Sequence, residues 1–422
     1  MRESLLRFPL CALALWAAED AVARQDRPPD RLEEALERIR ALEEEVGRLR
    51  FEQEEPAAPP PQAIPEFLNA LNPRITFFGN AVGRVDSHEV VNDDGDRVDD
   101  RFSLRESELD FRAAVDPFVD GVGILTLEEE APGEFEVGVE EGYALVKRLP
   151  LPLLDEPPWG LLWKVGRFRT SFGRMNVLHT HDLPQTTRPQ VLGQFLGEEG
   201  SIGDGLGARL LLPTEGLDDL STVELRLEGW SGEVTGSASS GNHGLVEVRW
   251  SRPVGEDHLL EVAGIAHRGE VIGETERRAV PTYSADFLYR WRPAGRSTHA
   301  GAVLGAQAFW GRRLFEEDDG AGNLVADVSS PFGAYAFGQW QFDRNTFAGI
   351  RYDYTQPFDG KTGHLQGLHP YVSWYPTEFF RFRIGYERVW FDEIDERDLG
   401  TFLFEFNFIF GSHPPEPYWV HR

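Results

Sequence analysis

The sequence predicts an all-β protein: an antiparallel transmembrane β-barrel of about 16 strands, preceded by a short N-terminal coiled-coil helix. Three observations carry this expectation. The 422-residue chain is 12% aromatic with 43 glycines, yet its mean hydropathy is only −0.38. Beyond the extreme N-terminus no apolar run reaches the roughly 18 residues of a membrane-spanning helix. From Pro73 onward the chain runs in short alternating segments broken by Gly, Asp, Asn and Pro clusters. A barrel strand needs only about 9–11 residues and shows lipid an apolar side chain at every second position.

The N-terminus reads as an export signal over residues 1–23. Arg2 and Arg7 supply positive charge, Phe8 to Ala18 is apolar, and Ala21-Val22-Ala23 is an A-x-A cleavage site. Cys11, the one cysteine, lies inside that segment, so the mature chain would have none, which suits an oxidising envelope. A short coiled coil follows, placed at residues 31–54. Leu32, Ile39 and Val46 occupy a positions, and Ala35, Leu42 and Leu49 occupy d positions. Such a core favours two strands, whereas Arg38-Ile39-Arg40-Ala41-Leu42-Glu43 resembles a trimer-favouring signature, and a homotrimer is the expectation adopted. Residues 55–72, opening on Glu55-Pro56-Ala57-Ala58-Pro59-Pro60-Pro61, form a stiff polyproline linker.

The barrel is placed at 73–411 and a C-terminal tail at 412–422. Candidate strands fall near 74–85, 102–115, 118–129, 135–147, 160–169, 204–212, 221–231, 244–252, 257–268, 281–292, 298–311, 331–342, 346–356, 366–375, 379–390 and 399–410. In 380–387, Phe380, Phe382, Ile384 and Tyr386 alternate with Arg381, Arg383 and Glu387. A soluble sandwich would show the same period. The apolar face is instead aromatic at strand ends and small within, as in Ala302, Leu304, Ala306, Ala308 and Trp310, which fits an aromatic girdle. Long polar connections such as Val90–Arg101 are expected outside the cell, and tight turns such as Asp343-Arg344-Asn345 in the periplasm.

Val165-Gly166-Arg167-Phe168-Arg169-Thr170-Ser171-Phe172-Gly173-Arg174 resembles an element of the phosphate-selective porin O and P family. Arg105 to Arg112, followed by Val115-Asp116-Pro117, resembles a hairpin of the same proteins, and Leu178 to Pro184 with Gly197-Glu198-Glu199-Gly200 resembles an uncharacterised porin-like subgroup. The resemblance implies a bacterial outer-membrane location, with the coiled coil in the periplasm and lipid around the barrel. It further implies a trimeric, passive channel for small hydrophilic solutes or ions. Phosphate is not implied for this chain, because a phosphate constriction needs clustered cations and the lysines are Lys147, Lys164 and Lys361 alone.

The residues expected at a mixed-charge constriction are Glu106, Glu108, Asp110 and Arg112 on one side and Arg167, Arg169, Arg174 and Arg188 on the other. Opposed charges would set a transverse field across the pore; simple pairing between neighbouring strands is the alternative. His179, His181 and Asp182 offer two imidazoles and a carboxylate to a metal ion, which would suit a metal-ion permeation porin. A third reading is a tether, in which the coil contacts cell-wall material and the barrel anchors. A net charge of −29 excludes nucleic acid as a partner. No cofactor is expected, and no hydrolase motif appears, so the chain is not read as an enzyme. The alternating Phe402, Phe404, Phe406, Phe408 and Phe410 resemble the terminal strand of outer-membrane barrels, although a Pro-rich tail follows it.

Overall fold

The structure, a computed structural model, describes residues 73–91, 97–131, 133–149, 155–197, 199–214, 220–232, 241–272, 277–295, 299–318, 324–358, 362–394, 397–412, 417 and 419–420. The expected signal peptide (1–23), coiled coil (31–54) and linker (55–72) lie outside the described residues.

Alternation dictates extended chain, and the strands form where it was expected. They are β1 (Arg74–Asp86), β2 (Phe102–Ala114), β3 (Val119–Ala131), β4 (Glu134–Val146), β5 (Leu162–Arg169), β6 (Ile202–Leu212), β7 (Thr222–Gly232), β8 (Gly241–Val254) and β9 (His258–Ile272). The second half comprises β10 (Arg277–Trp291), β11 (Gly301–Gly311), β12 (Arg313–Asp318), β13 (Leu324–Ser329), β14 (Phe332–Gln341), β15 (Thr346–Thr355), β16 (His364–Thr377), β17 (Phe380–Asp392) and β18 (Leu399–Gly411). All but β12 and β13 join one closed antiparallel sheet, each strand pairing with its sequence neighbours. That gives the sixteen strands expected, and β1 seals the ring against β18 from Thr76↔Gly411 to Asp86↔Thr401. Closure leaves no strand edge unpaired. β12 and β13 form a separate hairpin between β11 and β14, and helix α1 (Gln190–Leu196) lies between β5 and β6; neither was expected. Among the described residues no helix is long and apolar enough to cross a membrane.

The two faces obey the period of the strand. On β18, Phe402, Phe404 and Phe410 are exposed outward while Thr401, Leu403, Glu405 and Asn407 are buried inward. On β17, Phe382 and Ile384 face out and Arg381, Arg383 and Glu387 face in. Outward aromatics gather at both rims. Phe77 stacks on Phe410 at 4.8 Å and Trp291 on Trp340 at 5.2 Å near the rim that holds the strand termini. Tyr386 meets Phe402 at 4.7 Å and Tyr283 meets Trp310 at 6.2 Å near the opposite rim. Between these belts many outward residues are aliphatic, such as Val246, Val262, Leu304 and Ile350. The β14–β15 turn on the terminus side is tight: Asp343 accepts the amides of Asn345 and Thr346 at 2.8 and 2.9 Å.

The inward face is less uniformly polar than alternation suggests. Leu245, Ile265, Leu288, Val303, Phe309 and Phe337 point inside and pack against Phe172, Val191, Leu192 and Phe195 of the β5–β6 connection. The tail re-enters as well. Ser412 donates to the Ile75 carbonyl at 2.9 Å, and Trp419, 1% exposed, joins the same cluster while its carbonyl accepts from Gln339 Nε2 at 3.2 Å. Trp419→Ala is expected to destabilise the barrel by about 3–5 kcal/mol, read as a lower urea midpoint for protein refolded into lipid vesicles. An unchanged midpoint would contradict this packing.

Candidate functional site in the barrel lumen

Residues 170–201 leave the end of β5 and fold into the barrel instead of away from it. Glycines make both ends possible. Gly173 (φ 85°) has no room for a Cβ beside Gln307, and Gly200 (φ 86°) none beside Asn176. The neck is latched by Asn176, whose amide donates to the carbonyls of Thr170 (2.8 Å) and Ser201 (3.0 Å) and accepts the Ser201 N–H at 2.8 Å.

A segment inside a closed barrel cannot give its backbone polar groups to bulk water, so the wall must supply partners. It does so largely with arginines. Arg381 and Arg383 donate to the carbonyls of His181 and Leu183 at 2.7 and 2.8 Å. Arg105 donates to Thr186 O at 2.6 Å, and Arg351 to both the carbonyl of Thr187 and its Oγ1, the latter at 3.0 Å. Acidic wall residues take the segment's N–H groups: Glu228 accepts from Ser171 at 2.8 Å, Asp286 from Arg174 at 3.0 Å and Asp353 from Gln190 at 3.2 Å.

Each buried guanidinium needs a counter-charge. Glu405 accepts from Arg383 at 2.6 Å, from Arg381, and from Asn80 at 2.9 Å. Arg351 lies 2.6 Å from Asp353 and 2.8 Å from Glu387.

Of the residues expected to line the lumen, Glu106, Glu108 and Asp110 are buried on the inner face of β2. Arg112 pairs with Asp110 at 2.6 Å with its side chain 44% exposed. Arg169 binds Glu140 and the Glu199 carbonyl, and Arg174 pairs with Glu261 and Asp286. Arg188 donates to the carbonyls of Met175 and Leu178 within its own segment, at 3.2 and 3.4 Å. Arg167 is turned the other way: it sits opposite Asp204 on β6, 3.6 Å away, two positions from the exposed Val165–Leu206 pair and on the same outer face.

His179 and His181 are brought together with the acidic wall. Two β-bulges arrange that wall. Arg105 is the extra residue between β1 and β2, and Glu140 the extra residue between β3 and β4, so Glu140 and Glu141 are both buried. His179 Nδ1 lies 2.8 Å from Glu140 and 3.1 Å from Glu108, and its Nε2 lies 3.4 Å from Glu141. His181 Nδ1 lies 3.5 Å from Glu108, and its ring stacks on Phe78 at 4.3 Å. Asp182 stands apart, 3.9 Å from the other side of His181 with its side chain one-third exposed. Both imidazoles belong to the connection, outside the spanning strands, and both hold their protons tightly. Burial opposes the charge, but Glu108 and Glu140 outweigh it at His179, while Glu108, Asp182 and Glu106 raise His181 to about 9. The spacing of the histidines drew attention to them, whereas their carboxylate partners come from strands far upstream. Glu140 and Glu141 had no signal, because a bulge does not show in the alternation.

Removing the counter-charge of the arginine pair should cost far more than removing an exposed ion pair. Glu405→Leu leaves two buried guanidiniums uncompensated and is expected to cost about 3–5 kcal/mol, while Lys147→Ala, which breaks the exposed pair with Asp120, costs about 1 kcal/mol or less. Urea unfolding of the two variants in vesicles tests this, and equal losses would refute it.

No family model matches the chain. An uncharacterised protein of Aquifex aeolicus (strain VF5) is 28% identical over 346 residues, covering 75% of this chain and 70% of that one. Among solved structures, the outer membrane channel DcaP of Acinetobacter baumannii superposes with a TM-score of 0.53 at 11% identity, over 80% of this chain and 97% of that chain. OmpF of Salmonella typhi, in complex with daunomycin, gives a TM-score of 0.50 at 14% identity, over 81% and 99%. At these identities the likeness concerns the fold, which is that of the outer-membrane β-barrels.

Proposed function

We propose that this chain is a porin-like channel of the bacterial outer membrane, passing small hydrophilic solutes or ions by diffusion. The observation that carries the reading is the 170–201 segment, folded into a closed barrel and fastened to its wall by side chains from β2, β15 and β17. A closed ring with an apolar outer band belongs in lipid, and a long inward connection narrows the passage through it. Passage runs past a mixed-charge constriction, with Glu106, Glu108 and Asp110 on β2, Arg169 at the end of β5, and Arg174 and Arg188 on the inward segment. Phosphate is a poor fit. The buried guanidiniums are engaged with carbonyls and carboxylates and so are not free to replace a phosphate hydration shell. Transport without covalent chemistry fits the imidazoles too: His243 and His267 contact each other at 3.2 Å, and His267 packs on Phe172 and Trp230.

The homotrimer rests on the trimer-favouring signature Arg38–Glu43, and residues 31–54 would hang in the periplasm within reach of the cell wall. A metal-ion permeation porin is the second reading, favoured by the placement of His179 and His181 against the acidic wall.

Planar-bilayer recording of the purified protein is expected to show stepwise conductance, and its absence would overturn the channel. Deleting residues 24–66 should leave that conductance intact. A deletion that spared the barrel but released it from the cell envelope would instead favour the tether.

A further inference from the structure

Glu106, Glu108, Glu140 and His179 each offer a ligand atom, and these atoms all lie within 4.8 Å of one another. The four residues are only 5%, 2%, 4% and 8% exposed. They come from three separate pieces of chain: β2, the bulge of β4 and the inward segment. Part of the group is explained without a ligand, since His179 Nδ1 is within hydrogen-bond distance of Glu140 and Arg169 binds Glu140 from the other side. The remainder is not. Glu106 Oε2, Glu108 Oε2 and His181 Nδ1 are buried with no hydrogen-bond partner among the described residues, and His181 Nδ1 lies 3.8 and 3.5 Å from those same two oxygens. Glu108 Oε2 is also 3.1 Å from His179 Nδ1, but carboxylate oxygens buried without a well-made hydrogen bond are costly.

We infer a divalent metal site here, with Glu106, Glu108, Glu140 and His179 as ligands and His181 in reach as a fifth. Ligand atoms around an ion at about 2.1 Å stand roughly 3.0–3.4 Å apart; His179 Nδ1 stands 3.1 Å from Glu108, and its 2.8 Å hydrogen bond to Glu140 would have to lengthen to admit the ion. Three carboxylates with imidazole and no sulfur suit Zn²⁺ or Mn²⁺ and disfavour Cu⁺. Positive groups around the site are Arg105, Arg169, Arg188 and Lys164, set against four carboxylates, counting Glu141. The ion would staple the inward segment to the β2–β4 wall. This role holds whether or not the barrel conducts, so its test is separate from the bilayer recording.

The test uses full-length protein refolded in detergent, stripped with EDTA and titrated with Zn²⁺ and Mn²⁺ by calorimetry. One ion per chain is expected, with Glu108→Gln and His179→Gln each weakening it about tenfold or more. Asp182→Asn is expected to bind as wild type does. Absence of saturable binding at one ion per chain would overturn the site, as would unchanged affinity in Glu108→Gln. Should that variant fail to fold, X-ray absorption of the wild-type zinc complex decides. A shell of carboxylate oxygens with one or two imidazoles supports the assignment, and a shell without carboxylate or without imidazole refutes it.

Discussion

A peptide segment packed against the inside of a barrel wall loses water from the carbonyls it buries, and here four of those carbonyls are met by guanidiniums. Arg105, Arg351, Arg381 and Arg383 reach from three wall strands to the carbonyls of His181, Leu183, Thr186 and Thr187. Arginine suits the task because its planar fork bonds a carbonyl with one arm and a carboxylate with the other. That requirement propagates outward. Glu405, Asp353 and Glu387 must sit beside the arginines, so inward positions of β15, β17 and β18 are committed to charge. The outward positions between them remain free to be the Phe, Ile and Trp residues that meet lipid.

The other wall is built on irregularity. β2 and β4 each carry an extra residue in the ladder, Arg105 and Glu140, and each of these swings an additional charged side chain into the interior. The result is an acidic concentration facing the two histidines, opposite in character to the arginine side. The inward segment therefore lies between a wall that donates and a wall that accepts. Its apolar residues fill the space that remains, with Phe195 tilted against Phe309 at 5.4 Å and the Arg313 guanidinium over the Phe195 ring at 4.7 Å.

This division explains what could be read from the residues alone. The strands were legible because period-two alternation is imposed by geometry on any sheet with unlike faces. The inner and outer sets of β17 and β18 were assigned correctly for the same reason. The inward segment was not legible as such. Helix α1 is seven residues long, too short for a helical period to register, and Val191, Leu192 and Phe195 look like ordinary core. The β12–β13 hairpin escaped notice because Phe315, Ala326 and Val328 are flanked by acidic residues that read as loop. Arg167 was grouped with Arg169, but it keeps the outward parity of Val165, and it is Arg169, the last residue of β5, that turns inward to Glu140, so spacing no longer reports the face at the end of the strand. Contacts such as Glu140 with His179 depend on register between distant strands, which no single segment encodes.

The tail that follows β18 has a consequence for the order of assembly. Trp419 can enter the lumen only after a lumen exists, and the lumen exists only once β18 has paired with β1, the two strands farthest apart in the sequence. Its burial is therefore a seal set after the seam has closed. The indole belongs to the same buried cluster as Phe347, Tyr375 and Tyr335, contributed by β15, β16 and β14. A fluorescence change from this single side chain would consequently time the last act of the folding reaction, where probes placed in the hairpins would time only the steps before it.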